Sequence, residues 1–118
     1  MIDILPLIGA AITIGLGLLG FMLPNVVASS ASMVGIEAKS GLARSEVRAT
    51  YGGLFIGLGV SCLWFQSHEM FLAVGIAWCL AAVARFMAIF IEHEASPKNI
   101  GGIVLEAGIG ALFLSSAL

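Results

Sequence analysis

Charge is what this sequence has least of. Only 10% of its 118 residues are charged, five Lys and Arg against seven Asp and Glu, while 60% are hydrophobic. A water-soluble domain carries about 25% charged and roughly 45–50% apolar residues. So few charges cannot clothe a soluble surface, and the mean hydropathy of +1.12 agrees. The basic residues are Lys39, Arg44, Arg48, Arg85 and Lys98, with no basic tract and no interleaved aromatics, which excludes a nucleic-acid-binding face. Cysteine is limited to Cys62 and Cys79, in separate apolar runs and without C-x-x-C or metal-type spacing. His93 lies between Glu92 and Glu94, but adjacent loop residues do not converge on one ion, so no metal and no cofactor is expected. No Gly-rich phosphate loop, catalytic triad or haem-ligating His pair is present, and the chain does not read as an enzyme.

Proline is also scarce. Pro6, Pro24 and Pro97 are the three, and between them stand long unbroken apolar runs. Four are long enough to cross a membrane, at about residues 4–23, 47–65, 71–91 and 100–118. A spanning helix needs ~20 apolar residues, with a range of about 17–25. Four strands cannot close a barrel, and open sheet edges cannot face lipid. The expected fold is therefore all-α: a single polytopic membrane domain, a four-transmembrane-helix bundle with both termini on the same side. The first run is expected to be retained rather than cleaved, because Met1-Ile2-Asp3 supplies no positive region ahead of it. Ser45 followed by Glu46 reads as a helix N-cap with an acid in the first turn, which starts the second helix there. The Ser-rich, half-apolar stretch 25–45 predicts a helix extension or an interfacial segment.

Orientation follows from the basic residues. Lys39, Arg44 and Lys98 fall in connections on one side, with Arg48 at a helix mouth and Arg85 just inside, while the side of the termini has neither Lys nor Arg. The positive-inside rule turns the basic side to the cytoplasm. The termini are then expected outside, periplasmic for a bacterial inner membrane. Trp64 and Phe65 beside Gln66 suit an outer aromatic belt. In lipid, helices associate through close backbone approach, which small residues allow. Candidate small faces are Gly9, Thr13 and Gly17 on the first helix and Gly53, Gly57 and Ser61 on the second. Ala77, Ala81, Ala84 and Ala88 offer one on the third, and Gly102 and Gly110 flank Glu106 on the fourth.

Arg85 and Glu106 are the costliest residues in the chain. Each stands six residues inside the same membrane face, counted from Ile91 and Ile100, or roughly 9 Å at helical rise. Charges at that depth face the protein interior and tend to be paired or functional. Glu46, Arg48 and Tyr51 lie at the same mouth of the bundle. Two readings stay open. Arg85 and Glu106 form an ion pair that fixes helix register, or all five residues line a cytoplasm-facing pocket for an anion or a lipid headgroup.

The run Glu46-Val47-Arg48-Ala49-Thr50-Tyr51-Gly52-Gly53 resembles the E-x-R-A-x-Y-G-G signature of a family of small bacterial membrane proteins classed as a domain of unknown function (label 4345). Its further marks, an Arg late in helix three and a Glu within helix four, correspond to Arg85 and Glu106. Where that family tends to carry a D-G-x-P-like turn, this chain has Glu94-Ala95-Ser96-Pro97. The resemblance covers nearly the whole chain and implies the four-helix fold and the polar cluster. It implies no activity. From the residues alone, the leading expectation is a non-enzymatic accessory or structural subunit in the lipid bilayer, associated with other membrane subunits or with itself. The alternative is a small-molecule, lipid or ion binding or transport module acting as an oligomer.

Overall fold

The computed structural model describes residues 4–25, 41–93 and 95–117, without the side chain of Lys98. Asp3, Glu94 and most of the connection 25–45, Lys39 included, lie outside the described residues. Helix α1 spans Ile4–Met22. Helix α2 runs through Gly41–Phe65, its middle part Arg48–Leu54 wound as a π-helix. Helix α3 is His68–Glu92 and α4 is Pro97–Leu114, followed by a 3₁₀ turn at Ser115–Ala117. The protein is all-α, and these four helices are long and apolar enough to cross a membrane.

Local chemistry explains the boundaries. Ser67 caps α3 by accepting the Met70 N–H at 3.1 Å, and Ser96 caps α4 by accepting the Asn99 N–H at 3.2 Å, with Pro97 in the first turn. Both caps lengthen the helices beyond the apolar runs, to His68 and Pro97. Gln66 (φ 45°) and His93 (φ 54°) take the left-handed conformation that ends α2 and α3. Ser45 does not cap. It lies inside α2, where its Oγ donates to the Gly41 carbonyl at 2.8 Å, the back-bond open to serine in mid-helix. The second helix therefore already runs at Gly41, a turn earlier than the Ser45–Glu46 pair suggests.

Helix α1 is central, packing against α2 on one side and α4 on the other, while α3 packs on α4. A Cβ on Gly9 would lie 3.1 Å from the Phe113 ring, and one on Gly17 would lie 2.8 Å from the Ile56 main chain. At Gly20 it would collide with the Tyr51 carbonyl. The expected Gly9, Thr13, Gly17 face is thus the seam of the bundle, and Gly20 extends it. Thr13 is fully buried and satisfies its hydroxyl on the Gly9 carbonyl at 2.8 Å. Ala10, Cys62, Phe71, Val74, Trp78, Ile109 and Phe113 form the core, and an edge-to-face contact of 5.1 Å between Phe55 and Trp78 joins α2 to α3. His68 bonds Ser116 at 2.8 Å, and Gly9 meets Phe113, so the starts of α1 and α3 share one end with the chain's last turn.

Two of the small faces lie elsewhere than expected. Among the described residues, nothing stands within 4 Å of a Cβ placed on Gly57, and Gly53 meets only the Arg48 carbonyl at 3.9 Å. Gly52 and Gly59 take the contact with α1 instead. The π-segment supplies the reason: each wide turn holds an extra residue and shifts which side of α2 faces its neighbour. On α3, Ala77 and Ala84 are exposed while Phe71, Val74, Gly75 and Trp78 fill the interface. Gly102 and Gly110 on α4 do pack closely, against Arg85 and Cys79.

Gly15 and Gly20 make a matched test of the seam. Gly15 faces open space, so Gly15→Ala should stabilise by roughly 0.5–1 kcal/mol through helix propensity. Gly20→Ala forces α1 away from the Tyr51 main chain and should lose about 1–3 kcal/mol. Thermal unfolding in a mild detergent measures both. Equal responses would mean that α1 and α2 do not meet at Gly20.

Candidate functional site

The polar site is assembled by the antiparallel pair α3 and α4. Arg85 Nε donates to Glu106 Oε1 at 2.9 Å and Nη2 to Oε2 at 3.2 Å, a two-pronged pairing of guanidinium and carboxylate. The same guanidinium donates from Nη1 to Asn99 Oδ1 at 3.3 Å. The side chains of Arg85 and Glu106 are 20% and 14% exposed, so both are largely withdrawn from the surroundings. Room for the guanidinium comes from Gly102, one turn before Glu106: a Cβ there would lie 2.8 Å from Arg85 Cζ. Asn99 is held by the Ser96 cap, which fixes the first turn of α4. The cap fixes the Asn99 main chain, and the side-chain amide, guanidinium and carboxylate form one hydrogen-bonded series across the helix pair.

Sequence reasoning did not single out Asn99. The signal was there: Asn99 precedes Glu106 by seven residues, two helical turns, on the face that also presents Gly102. An amide on the same stripe as a membrane-depth carboxylate is a candidate partner for whatever neutralises it.

Arg48 and Tyr51 belong to a different junction, between α1 and α2. Arg48 Nη1 donates to the Phe21 carbonyl at 2.7 Å, and its Cζ lies 5.9 Å from the Phe21 ring centroid. It thereby satisfies one of the carbonyls orphaned at the end of α1, at the negative end of that helix. The Tyr51 ring is half-buried and edge-on to Phe55 at 5.6 Å. Glu46 is exposed and makes no side-chain bond among the described residues. The structure thus joins Arg85 with Glu106 and sets Arg48 and Tyr51 on the α1–α2 contact. Among the described residues no hydrogen bond or ion pair links the two groups. His93 terminates α3, and His68 ties α3 to Ser116.

Four apolar helices, no strand among the described residues and a bidentate charge pair across one helix hairpin define the class: a small all-α protein whose four helices are long and apolar enough to cross a membrane. A family model described as a domain of unknown function, DUF4345, matches residues 1–116, and the chain belongs to that family. Neither the curated proteins nor the solved structures contain a match to it.

The pairing is open to a double-mutant cycle. Removing one partner strands the other, which costs about 3–5 kcal/mol for a buried pair. Arg85→Leu and Glu106→Leu should each destabilise strongly, and the double variant by much less than their sum. A guanidinium has no neutral form at ordinary pH whereas a carboxyl has one, so Glu106→Leu should be the worse single change. Additive losses in unfolding temperature would show that the two charges do not depend on each other.

Proposed function

We propose that this protein is a non-enzymatic accessory or structural subunit of a bacterial inner membrane, which packs against a larger membrane complex or against further copies of itself. The observation that carries this reading is how its deep charges are engaged. Arg85 is committed to Glu106 and Asn99, and Glu106 receives two bonds from Arg85. Such a cluster fixes the register of α3 on α4.

Further support lies on the outside of the bundle. Among the described residues, Gly15, Gly57 and Gly108, on three different helices, have nothing within 4 Å of where a Cβ would stand. Each glycine costs a helix roughly 0.8–1 kcal/mol relative to alanine, and no packing among the described residues offsets that cost at these three positions. A neighbouring helix approaching closely would offset it. The orientation proposed with this role sets Arg44, Arg48, Arg85 and Lys98 toward the cytoplasm and both termini toward the periplasm.

Bulky substitution separates fold from assembly. Because Gly57 and Gly108 face open space, Gly57→Leu and Gly108→Leu should leave thermal stability equal or slightly raised. Native mass spectrometry after mild extraction should show wild-type protein in a stoichiometric complex or a homo-oligomer, and at least one of these variants reduced to monomer. A wild-type monomer under every mild condition would refute the subunit role.

The orientation has its own check. A cysteine at position 98 should react with thiol reagents from the cytoplasmic side, and a tag after Leu118 should be reached from the periplasm. The reverse pattern would invert the whole arrangement.

A further inference from the structure

At the C-terminal end of α1 a groove of about 440 Å³ opens between the chain ends that leave α1 and enter α2. It is lined by Met22, Leu23, Pro24, Asn25, Arg44 and Arg48. Its volume lies within the roughly 300–1,000 Å³ of small-ligand sites. One wall is apolar, formed by Met22, Leu23 and Pro24, and the other is cationic. Arg44 and Arg48 stand four residues apart on α2 and therefore on one side of it. Glu46, two residues from each, turns to the other side of the helix and does not line the groove.

Depth narrows the choice of ligand. Helix α2 has 25 residues from Gly41 to Phe65. At about 1.5 Å per residue, and somewhat less through the π turns, it is at most ~38 Å long and still overshoots a hydrocarbon core of ~30 Å. With Trp64 and Phe65 at the far interface, the excess falls on the Gly41 end. Arg44 then stands at headgroup level, Arg48 at the edge of the acyl region, and Met22 and Leu23 alongside. Carbonyls at the end of α1 would repel an anion, but Arg48 already covers the Phe21 oxygen with Nη1. No hydrogen bond or ion pair engages the Arg44 side chain among the described residues. From this geometry we infer that the groove is an anion site for a phosphate group, held by the Arg44 and Arg48 guanidiniums, with the apolar wall taking the chain attached to it. The guanidinium fork suits phosphate oxygens, and a pair of cations at headgroup level adds attraction for anionic lipid. The inference is independent of the subunit role and concerns neither Arg85 nor Glu106.

The test uses the full chain in a neutral detergent, probed with phosphatidylglycerol, phosphatidylcholine and inorganic phosphate in separate arms. Native mass spectrometry should show one phosphatidylglycerol retained per chain, with a preference over phosphatidylcholine of about tenfold, the factor expected for one charge-assisted contact. Arg44→Gln should abolish that preference while leaving unfolding temperature unchanged, since its side chain makes no bond among the described residues. Arg44→Lys should retain part of it, keeping charge but not the fork. A rise in unfolding temperature with inorganic phosphate, lost in Arg44→Gln and unaccompanied by lipid preference, would support the same site with a free phosphate as its ligand. The inference is overturned if wild-type protein shows neither response, or if the preference survives in both Arg44→Gln and Arg48→Gln.

Discussion

Where α1 crosses α2, the positions of Gly17 and Gly20 leave no room for a side chain against the main chain of Ile56 and Tyr51, and the two helices meet backbone to backbone. In water such a contact would be one contribution among many. In lipid, acyl chains solvate apolar side chains as well as a neighbouring helix does, so close packing has to supply the association. Since α1 also receives Phe113 of α4 against Gly9, one strip of small residues joins two of its neighbours at once. Helix α3 packs chiefly on α4 and touches α2 through the Phe55–Trp78 contact, and its place follows from theirs.

Polar atoms obey the same economy. Arg48 closes the end of α1 on the Phe21 carbonyl, Thr13 bonds within its own turn, and Arg85 and Glu106 neutralise each other across the hairpin. The charge pair contributes direction more than energy. Apolar faces of α3 and α4 can slide by a turn at little loss, whereas a slip of one turn would leave Arg85 without Glu106 and press it toward a helix face where Gly102 no longer makes room. Packing brings the hairpin together, and the charges select its register.

The four helices, the all-α class and the Arg85–Glu106 pair were legible because each rests on a property that does not depend on neighbours. Run length, hydropathy and the cost of a lone charge at depth can be read residue by residue. The start of α2 was misread because serine before an acid looks the same whether its hydroxyl caps a helix or bonds back to a carbonyl four residues earlier, as Ser45 does to Gly41. The outward faces of Gly57 and Ala77 were misread for another reason. A stripe of small residues marks a possible contact without saying with what, and the π-segment changed which stripe of α2 meets α1. Asn99 escaped notice because an uncharged amide carries no cost that stands out in composition.

The π-segment Arg48–Leu54 also bears on how this chain tolerates changes of length. A stretch of wide turns holds surplus residue within the helix, so loss of one residue from 48–54 could be absorbed by relaxation to α geometry with every main-chain bond remade. The two halves of α2 would keep nearly the same mutual orientation, because the residue removed is the one the widened turns had taken up. Arg44 would stay at the end of α1, and the half beyond Phe55 would keep its packing. A deletion elsewhere in α2 has no surplus to draw on and would turn one half against the other by about 100°, the angle that one helical residue spans. The wide turns are therefore the place where this helix can lose a residue without re-aiming either end.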